Sequence, residues 1–131
     1  MEAKPFDLCA RTFEFANDVL NWVERCPRNF MTVELLRQLI DASTSVGANT
    51  EEASAAQSRK DEASKLGIAL KEVRESRYWL RLLKIRVGSE NNPDHLIQEA
   101  QELRNIFRSR IRNLYNLSSG RNSIKPLIFL L

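Results

Sequence analysis

The 131-residue chain is long enough to bury one hydrophobic core and too short for two independent ones. Its composition, 43% apolar and 28% charged, is typical of a folded globular domain rather than of a chain too polar to collapse. Four glycines and four prolines are too few for a turn-rich β-sandwich or barrel, and one histidine with two cysteines excludes zinc ribbons and His-rich metal clusters. We therefore expect an all-helical domain.

Charge is divided unevenly along the chain. Residues 1–57 carry five Lys/Arg against nine Asp/Glu, whereas residues 58–131 carry fifteen against eight, so the net charge of +3 hides two regions of opposite sign. Such a division predicts a face that attracts an acidic partner, either nucleic acid or protein.

Apolar residues spaced by three and four predict a first helix from about residue 7 to residue 25, ended by Pro27. Because its apolar residues form two adjacent rows, we expect a wide buried face. The rows are Leu8, Thr12, Phe15, Val19, Trp22 and Cys26, and beside them Cys9, Phe13, Ala16, Leu20 and Val23. Cys9 and Cys26 would lie roughly 25 Å apart along this helix, too far to pair, and are expected to stay reduced.

A second helix is predicted from residue 33 to about residue 56, with Thr32 as its N-cap. Its later half is lined with small side chains that let a neighbouring helix approach closely. Gly47 in mid-helix costs about 1 kcal/mol relative to alanine, so close packing would have to offset it. Asn49 lies on the apolar seam and is interpreted as a structural amide that fixes register rather than as a catalytic group.

Ser58 is predicted to cap a third helix that continues to a stop at Gly88. Its core seam would be Leu66, Ala69, Val73, Ser76, Leu80, Leu83 and Val87. A second apolar stripe, formed by Ile68, Trp79 and Leu82, lies about a third of a turn or more from that seam. These residues either widen the core or form a subunit interface, since a bundle helix normally shows one apolar stripe.

A fourth helix is predicted to begin near Asp94 and to end at residues 118–120. Its seam would be Leu96, Ala100, Leu103, Phe107, Leu114 and Leu117, with Arg110 as the one charged residue among them. Four amphipathic helices joined by short turns predict an antiparallel up-down-up-down bundle over residues 1–120. The apolar tail, residues 121–131, either packs on its own bundle or seals an oligomer contact.

Two basic stripes lie on the last two predicted helices. They are Arg74, Arg77, Arg81 and Lys84 on the third helix, and Arg104, Arg108 and Arg112 on the fourth. Like charges at these spacings repel by a few tenths of a kcal/mol each. The stripes are either solvated faces or a surface that binds phosphate groups without reading sequence.

Motifs of catalysis, metal binding and membrane insertion are absent from the sequence. It has no Gly-rich phosphate loop, nucleophile elbow, HExxH or Glu-x-x-His pair, so we expect a non-enzymatic protein with no cofactor and no metal site. The longest apolar run, residues 127–131, is far shorter than the roughly 20 residues that span a bilayer, and the N-terminus lacks an apolar signal core. A cytoplasmic protein without a membrane partner is therefore expected.

The second and third predicted helices resemble the four-helix-bundle family of 23S rRNA intervening-sequence proteins. The matching segments are Ser43–Asn49, Glu52-Ala53, Ser58–Asp61 and Lys65–Leu83, with departures at Thr50, Glu51 and Glu62. The resemblance implies a homo-oligomeric bundle, similar to relatives that form pentameric rings. Related accessory proteins of diversity-generating retroelements bind nucleic acid and a reverse transcriptase through a basic surface. The family resemblance also implies structural roles for Asn49 and Glu75 at the contact between the second and third helices, and implies that Trp79 lies at an interface.

Together these observations lead to one hypothesis and one alternative. The hypothesis is a homo-oligomer, with a pentamer expected, that binds RNA or DNA through the two basic stripes without strong sequence specificity. The alternative is a protein-interaction scaffold or accessory subunit that holds an unidentified partner protein and makes no direct contact with nucleic acid.

Overall fold

A computed structural model describes residues 7–118 of the chain, which form four α-helices and no strand. The helices are α1 (Leu8–Arg25), α2 (Phe30–Ser54), α3 (Arg59–Lys84) and α4 (Asp94–Ser118), with a 3-10 turn at Ser89–Asn91. Each helix packs against its neighbours in the chain, and α1 also contacts α4, so the four surround one core. The predicted all-α, four-helix architecture is confirmed. The predicted apolar tail lies outside the described residues.

The cap of α2 differs from the prediction. Thr32 does not precede the helix but lies in its first turn, because Asn29 is the N-cap and accepts hydrogen bonds from the backbone N–H groups of Met31 and Thr32, each at 3.0 Å. Thr32 Oγ1 in turn accepts a 2.9 Å hydrogen bond from the backbone N–H of Asn29, which completes a capping box. The helix therefore starts earlier than predicted and carries an exposed Phe30.

Ser58 caps α3 as predicted, its hydroxyl accepting a hydrogen bond from the backbone N–H of Asp61 at 3.0 Å. The entire predicted seam of α3 is buried. On α4 the prediction was wrong at one turn: Arg110 is exposed and bonds Glu62 at 3.0 Å, while Ile111 is fully buried in its place. Leu117, also predicted to be buried, is exposed.

The buried face of α1 is narrower than predicted. The main row is buried from Thr12 to Cys26, but Phe13 is 70% exposed and Leu20 is 37% exposed. Both border an open groove of about 320 Å³ whose α2 wall includes Gly47 and Ala48. Small residues on α2 bring the helices together without covering these two side chains.

The connection from α3 to α4 is held by specific contacts. α3 ends at Lys84, three residues before the predicted Val87, although Val87 itself remains buried. Gly88 adopts a φ of 84°, which favours glycine, and starts the 3-10 turn. The indole Nε1 of Trp22, on α1, donates a 2.9 Å hydrogen bond to the Asn91 carbonyl. The turn is therefore fixed to the end of the bundle where α1 ends.

An ion-pair cluster joins α1 to α4. Arg11 Nε and Nη2 donate to the two carboxylate oxygens of Glu99 at 2.7 and 2.8 Å, and Nη2 also reaches Glu102 at 2.8 Å. Hydrogen bonds from Gln98 and from Arg11 hold the pKa of Glu102 below its ordinary value. The cluster is partly exposed and links two helices that approach each other less extensively than the pairs adjacent in the chain.

Both cysteines are free, as predicted. Cys9 is half-buried, whereas Cys26 is buried and its thiol donates to the Trp22 carbonyl at 3.3 Å. Burial raises the pKa of the Cys26 thiol to about 11, so it carries almost no thiolate at neutral pH.

Candidate nucleic-acid interface

Four of the seven predicted basic residues line one groove between α3 and α4. The groove has a volume of about 450 Å³. Its lining residues are Lys71, Arg74, Glu75, Arg77, Tyr78, Trp79, Arg81 and Arg104. We call this the arginine groove. It forms because α3 and α4 pack side by side and Arg104 of α4 faces the basic stripe of α3.

The other three predicted basic residues have different surroundings. Lys84 bonds Asp94 at 2.6 Å, across the connection between α3 and α4. Arg108, one turn after Arg104, is half-buried and adds to the positive potential at Arg104. Arg112 is exposed further along α4. The positive charge is therefore concentrated around Arg104.

Two arginines of the groove have buried donors that lack an acceptor. The Nε–H groups of Arg77 and Arg104 are shielded from solvent and make no hydrogen bond. Within residues 7–118 no carboxylate lies within ion-pair distance of Arg74, Arg77 or Arg104, in contrast with Arg11 and Arg110. A buried donor left unpaired costs about 1–3 kcal/mol, so an acceptor brought by a ligand would recover that cost.

The electrostatics of Arg104 reflect the same arrangement. Burial lowers its pKa, and the neighbouring charges of Arg108, Arg74 and Arg77 lower it further. Guanidinium groups nevertheless remain protonated at neutral pH, so the repulsion persists in the folded chain. An anion in the groove would relieve it.

A second groove, of about 420 Å³, continues from the first. It shares Arg77, Tyr78 and Arg81 with the arginine groove. Its further lining residues are Leu82, Lys84, Ile85, Asp94 and Ile97. We call this the apolar groove, because its only further charges, Lys84 and Asp94, bond one another.

Tyr78 lies between the two grooves and was not predicted as a site residue. Its side chain is 53% exposed, and its ring meets that of Trp79 edge to face, with centroids 5.1 Å apart and planes at 74°. The signal in the sequence is an aromatic residue between Arg77 and Arg81, which a search for charge alone overlooks.

The predicted interface stripe is only partly exposed. Ile68 is 40% exposed and Leu82 lines the apolar groove, whereas Trp79 is half-buried against the core with its indole Nε1–H unpartnered. Trp79 therefore does widen the core, and Ile68 leaves apolar surface uncovered in this chain.

Asn49 and Glu75, the two residues expected to organise the contact between α2 and α3, have surroundings that differ from each other. Asn49 is half-buried and donates its side-chain amide to the Ser45 carbonyl of its own helix, at 2.9 Å. Glu75 is exposed on the rim of the arginine groove. Glu75 is thus the carboxylate that any anion entering the groove would meet.

Residues 7–118 contain no group of three or more His, Cys, Asp and Glu side chains arranged to hold a metal ion. The helices within that range also include none long and apolar enough to cross a membrane.

Comparison with known proteins identifies the family of the chain. Residues 4–109 match the family described as 23S rRNA-intervening sequence protein. The chain belongs to this family. The chain is also similar to a protein from Bacteroides thetaiotaomicron whose crystal structure is described as that of a protein of unknown function from the S23 ribosomal protein family. The two sequences are 32% identical, and the structures superimpose with a TM-score of 0.68. The similarity covers 81% of this chain and 99% of that one. No curated protein matches the sequence.

The resemblance found in the second and third helices is therefore confirmed and extends from the first helix into the fourth. Family membership supports the four-helix fold. It assigns no reaction, ligand or partner to the arginine groove.

Proposed function

We propose that this family member is a non-enzymatic protein that binds RNA or DNA through the arginine groove, without strong sequence specificity. The observation that carries the proposal is the pair of buried Nε–H donors, on Arg77 and Arg104, that lack acceptors within a group of neighbouring arginines.

Phosphodiester oxygens match these donors in charge and in hydrogen-bonding type, because they are anionic acceptors. Arginine presents a planar fork of N–H groups that matches two phosphate oxygens, and charge-assisted hydrogen bonds of this kind are stronger than neutral ones. Contacts to phosphates position a nucleic acid but carry no base information, so little sequence preference is expected.

We further propose that the bundle is antiparallel and assembles as a homo-oligomer, with a pentamer expected. Connections of only four residues between α1 and α2, and between α2 and α3, support antiparallel neighbours. The exposed Ile68 on α3 and Ile85 at its C-cap supply apolar surface that a second copy would cover. Repeating the groove around a ring would raise the apparent affinity through avidity. Light scattering tests assembly: a mass near five times the 15.1 kDa of one chain is expected, and a strict monomer at micromolar concentration would refute it.

Nucleic-acid binding is tested by fluorescence anisotropy with short single-stranded and duplex oligonucleotides at increasing salt. Each phosphate contact adds close to one unit to the slope of log affinity against log salt, so affinity should fall steeply. The double variant Arg77→Gln with Arg104→Gln should weaken binding and flatten that slope. Its matched control, Arg25→Gln with Arg37→Gln, removes equal charge from exposed positions on α1 and α2. Absence of binding at about 50 mM salt would refute the proposal.

A protein-interaction scaffold is the second candidate, favoured by the exposure of Ile85 at 78% beside the apolar groove. In that case the unpartnered arginine donors would bond carboxylates of the partner protein. The same titration separates the two, since the scaffold predicts no affinity for any oligonucleotide. A cytoplasmic location remains a prediction in both cases.

A further inference from the structure

Resting on the proposed function, we infer that the nucleic acid bound by this surface is single-stranded, with one base stacked on Tyr78 and the adjacent phosphate bonded by Arg77 and Arg104.

Tyr78 has the properties of a stacking platform. More than half of its side chain is exposed, and its ring is held in contact with the ring of Trp79, so an aromatic ring with a fixed neighbour is accessible from solvent. Its sequence neighbours on the same surface are cationic, with Arg77 and Arg81 lining both grooves. An aromatic side chain surrounded by arginines is the combination that proteins use to bind single strands, because every base has a face that stacks.

The two grooves on either side of Tyr78 differ in the chemistry they accept. The arginine groove offers unpaired guanidinium donors, which suit phosphates. The apolar groove offers Leu82, Ile85 and Ile97, and its Lys84 is already neutralised by Asp94. A single strand presents phosphates and unstacked bases side by side and can use both grooves, whereas a duplex keeps its bases paired and stacked inside and can use only the first.

The length of the surface is consistent with a short strand. From Lys71 on α3 to Ile85 at its C-cap, the rise along the helix axis is roughly 21 Å at about 1.5 Å per residue. At about 3.4 Å per stacked nucleotide this corresponds to roughly six nucleotides. Glu75, on the rim, is the carboxylate that opposes binding, so its replacement should strengthen rather than weaken affinity for any phosphate backbone.

The test compares three probes of equal length: a 12-nucleotide oligothymidylate, an abasic strand with the same phosphates, and a duplex. Each is titrated by anisotropy against the full chain and against Tyr78→Ala and Tyr78→Phe. We expect oligothymidylate to bind more tightly than the abasic strand. We also expect Tyr78→Ala to weaken oligothymidylate binding by about five- to a hundredfold while leaving the abasic strand unchanged, because base stacking contributes in that range. Tyr78→Phe, which keeps the ring, should bind like the parent chain.

The outcomes separate this inference from the proposed function. Equal affinity for the oligothymidylate and the abasic strand, unaffected by Tyr78→Ala, overturns the stacking inference but leaves phosphate binding intact. Failure of all three probes to bind at low salt overturns both. Light scattering of Tyr78→Ala is the remaining control, because a loss of assembled mass would mean that Tyr78 lies between copies of the chain, which also overturns the inference.

Discussion

Replacing Arg104 by methionine should stabilise the free protein while weakening its affinity for nucleic acid. Arg104 is half-buried, its Nε–H has no acceptor, and its pKa is lowered by burial and by the charges of Arg108, Arg74 and Arg77. When folding lowers the pKa of a basic group, the protonated form of that group destabilises the folded state relative to its neutral form. Arginine is protonated at neutral pH. The charge therefore costs stability in the free chain.

The magnitude follows from two contributions. An unpaired buried N–H costs about 1–3 kcal/mol, of which a partly exposed side chain realises the lower end, and repulsion from Arg108 at i+4 adds a few tenths of a kcal/mol. Methionine retains most of the aliphatic stem, so little packing is lost. We expect the free energy of unfolding to rise by about 1 kcal/mol, which at ordinary m-values moves the urea midpoint upward by roughly 0.3–1 M.

Urea unfolding followed by circular dichroism, at one protein concentration and at low and high salt, measures this effect. The gain should shrink as salt screens the repulsive part. Arg37→Met is the matched control, since Arg37 is exposed on α2 and a surface change there should stay within about 0.5 kcal/mol. A loss of 1 kcal/mol or more in Arg104→Met, with a neutral control, would mean that Arg104 supports the fold, and the reasoning from its unpaired donor would be wrong.

Three further predictions concern the rest of the bundle. Gly47→Ala should raise the free energy of unfolding by up to about 1 kcal/mol in the same urea assay, because the nearest atoms to an added Cβ lie at ordinary contact distances, and a loss would reveal a tighter fit. In a thiol-labelling time course near pH 8, Cys26 should react far more slowly than the half-buried Cys9, and equal rates would contradict the raised pKa of about 11. Arg11→Met should cost about 0.5–1 kcal/mol near pH 7. Because the folded-state pKa of Glu102 is lowered, its stabilisation is lost as the pH falls through that lowered value, so the cost should shrink in acid.

Most of the fold is readable from hydrophobic spacing, and the errors have identifiable causes. The seam of α3 was predicted in full because a long helix buried on one face repeats its apolar positions without interruption. Arg110 was placed on the seam instead of Ile111 because alternating spacings of three and four residues allow either neighbour to face the core at that turn. The packing of α4 against α3 decides between them. Phe13 and Leu20 were expected to be buried because hydrophobic periodicity shows which helix face is apolar. It does not show whether a neighbouring helix extends far enough to cover every side chain on that face.

The site was predictable as a set of charges but not as a groove. Spacing placed Arg74, Arg77 and Arg81 on one face of α3, yet their meeting with Arg104 depends on how α4 lies against α3, which no local pattern encodes. The same holds for Lys84, whose charge is cancelled by a residue ten positions later. The exposure of Tyr78 likewise depends on how the helices pack and not on its place in the sequence pattern.

The hydrogen bond from Trp22 to the Asn91 carbonyl affects where the positive charges of α4 lie, although it is remote from them in sequence. It anchors the short turn from which α4 starts, and a helix that starts one residue early or late presents every side chain about 100° away from its former direction. Arg104 lies thirteen residues beyond this anchor and meets α3 only in one register. The hydrogen bond between the Trp22 indole and the turn thus helps to determine where the arginines of α4 lie relative to those of α3. Insertions or deletions at residues 88–92 would separate these positive charges without changing the number of arginines in the chain.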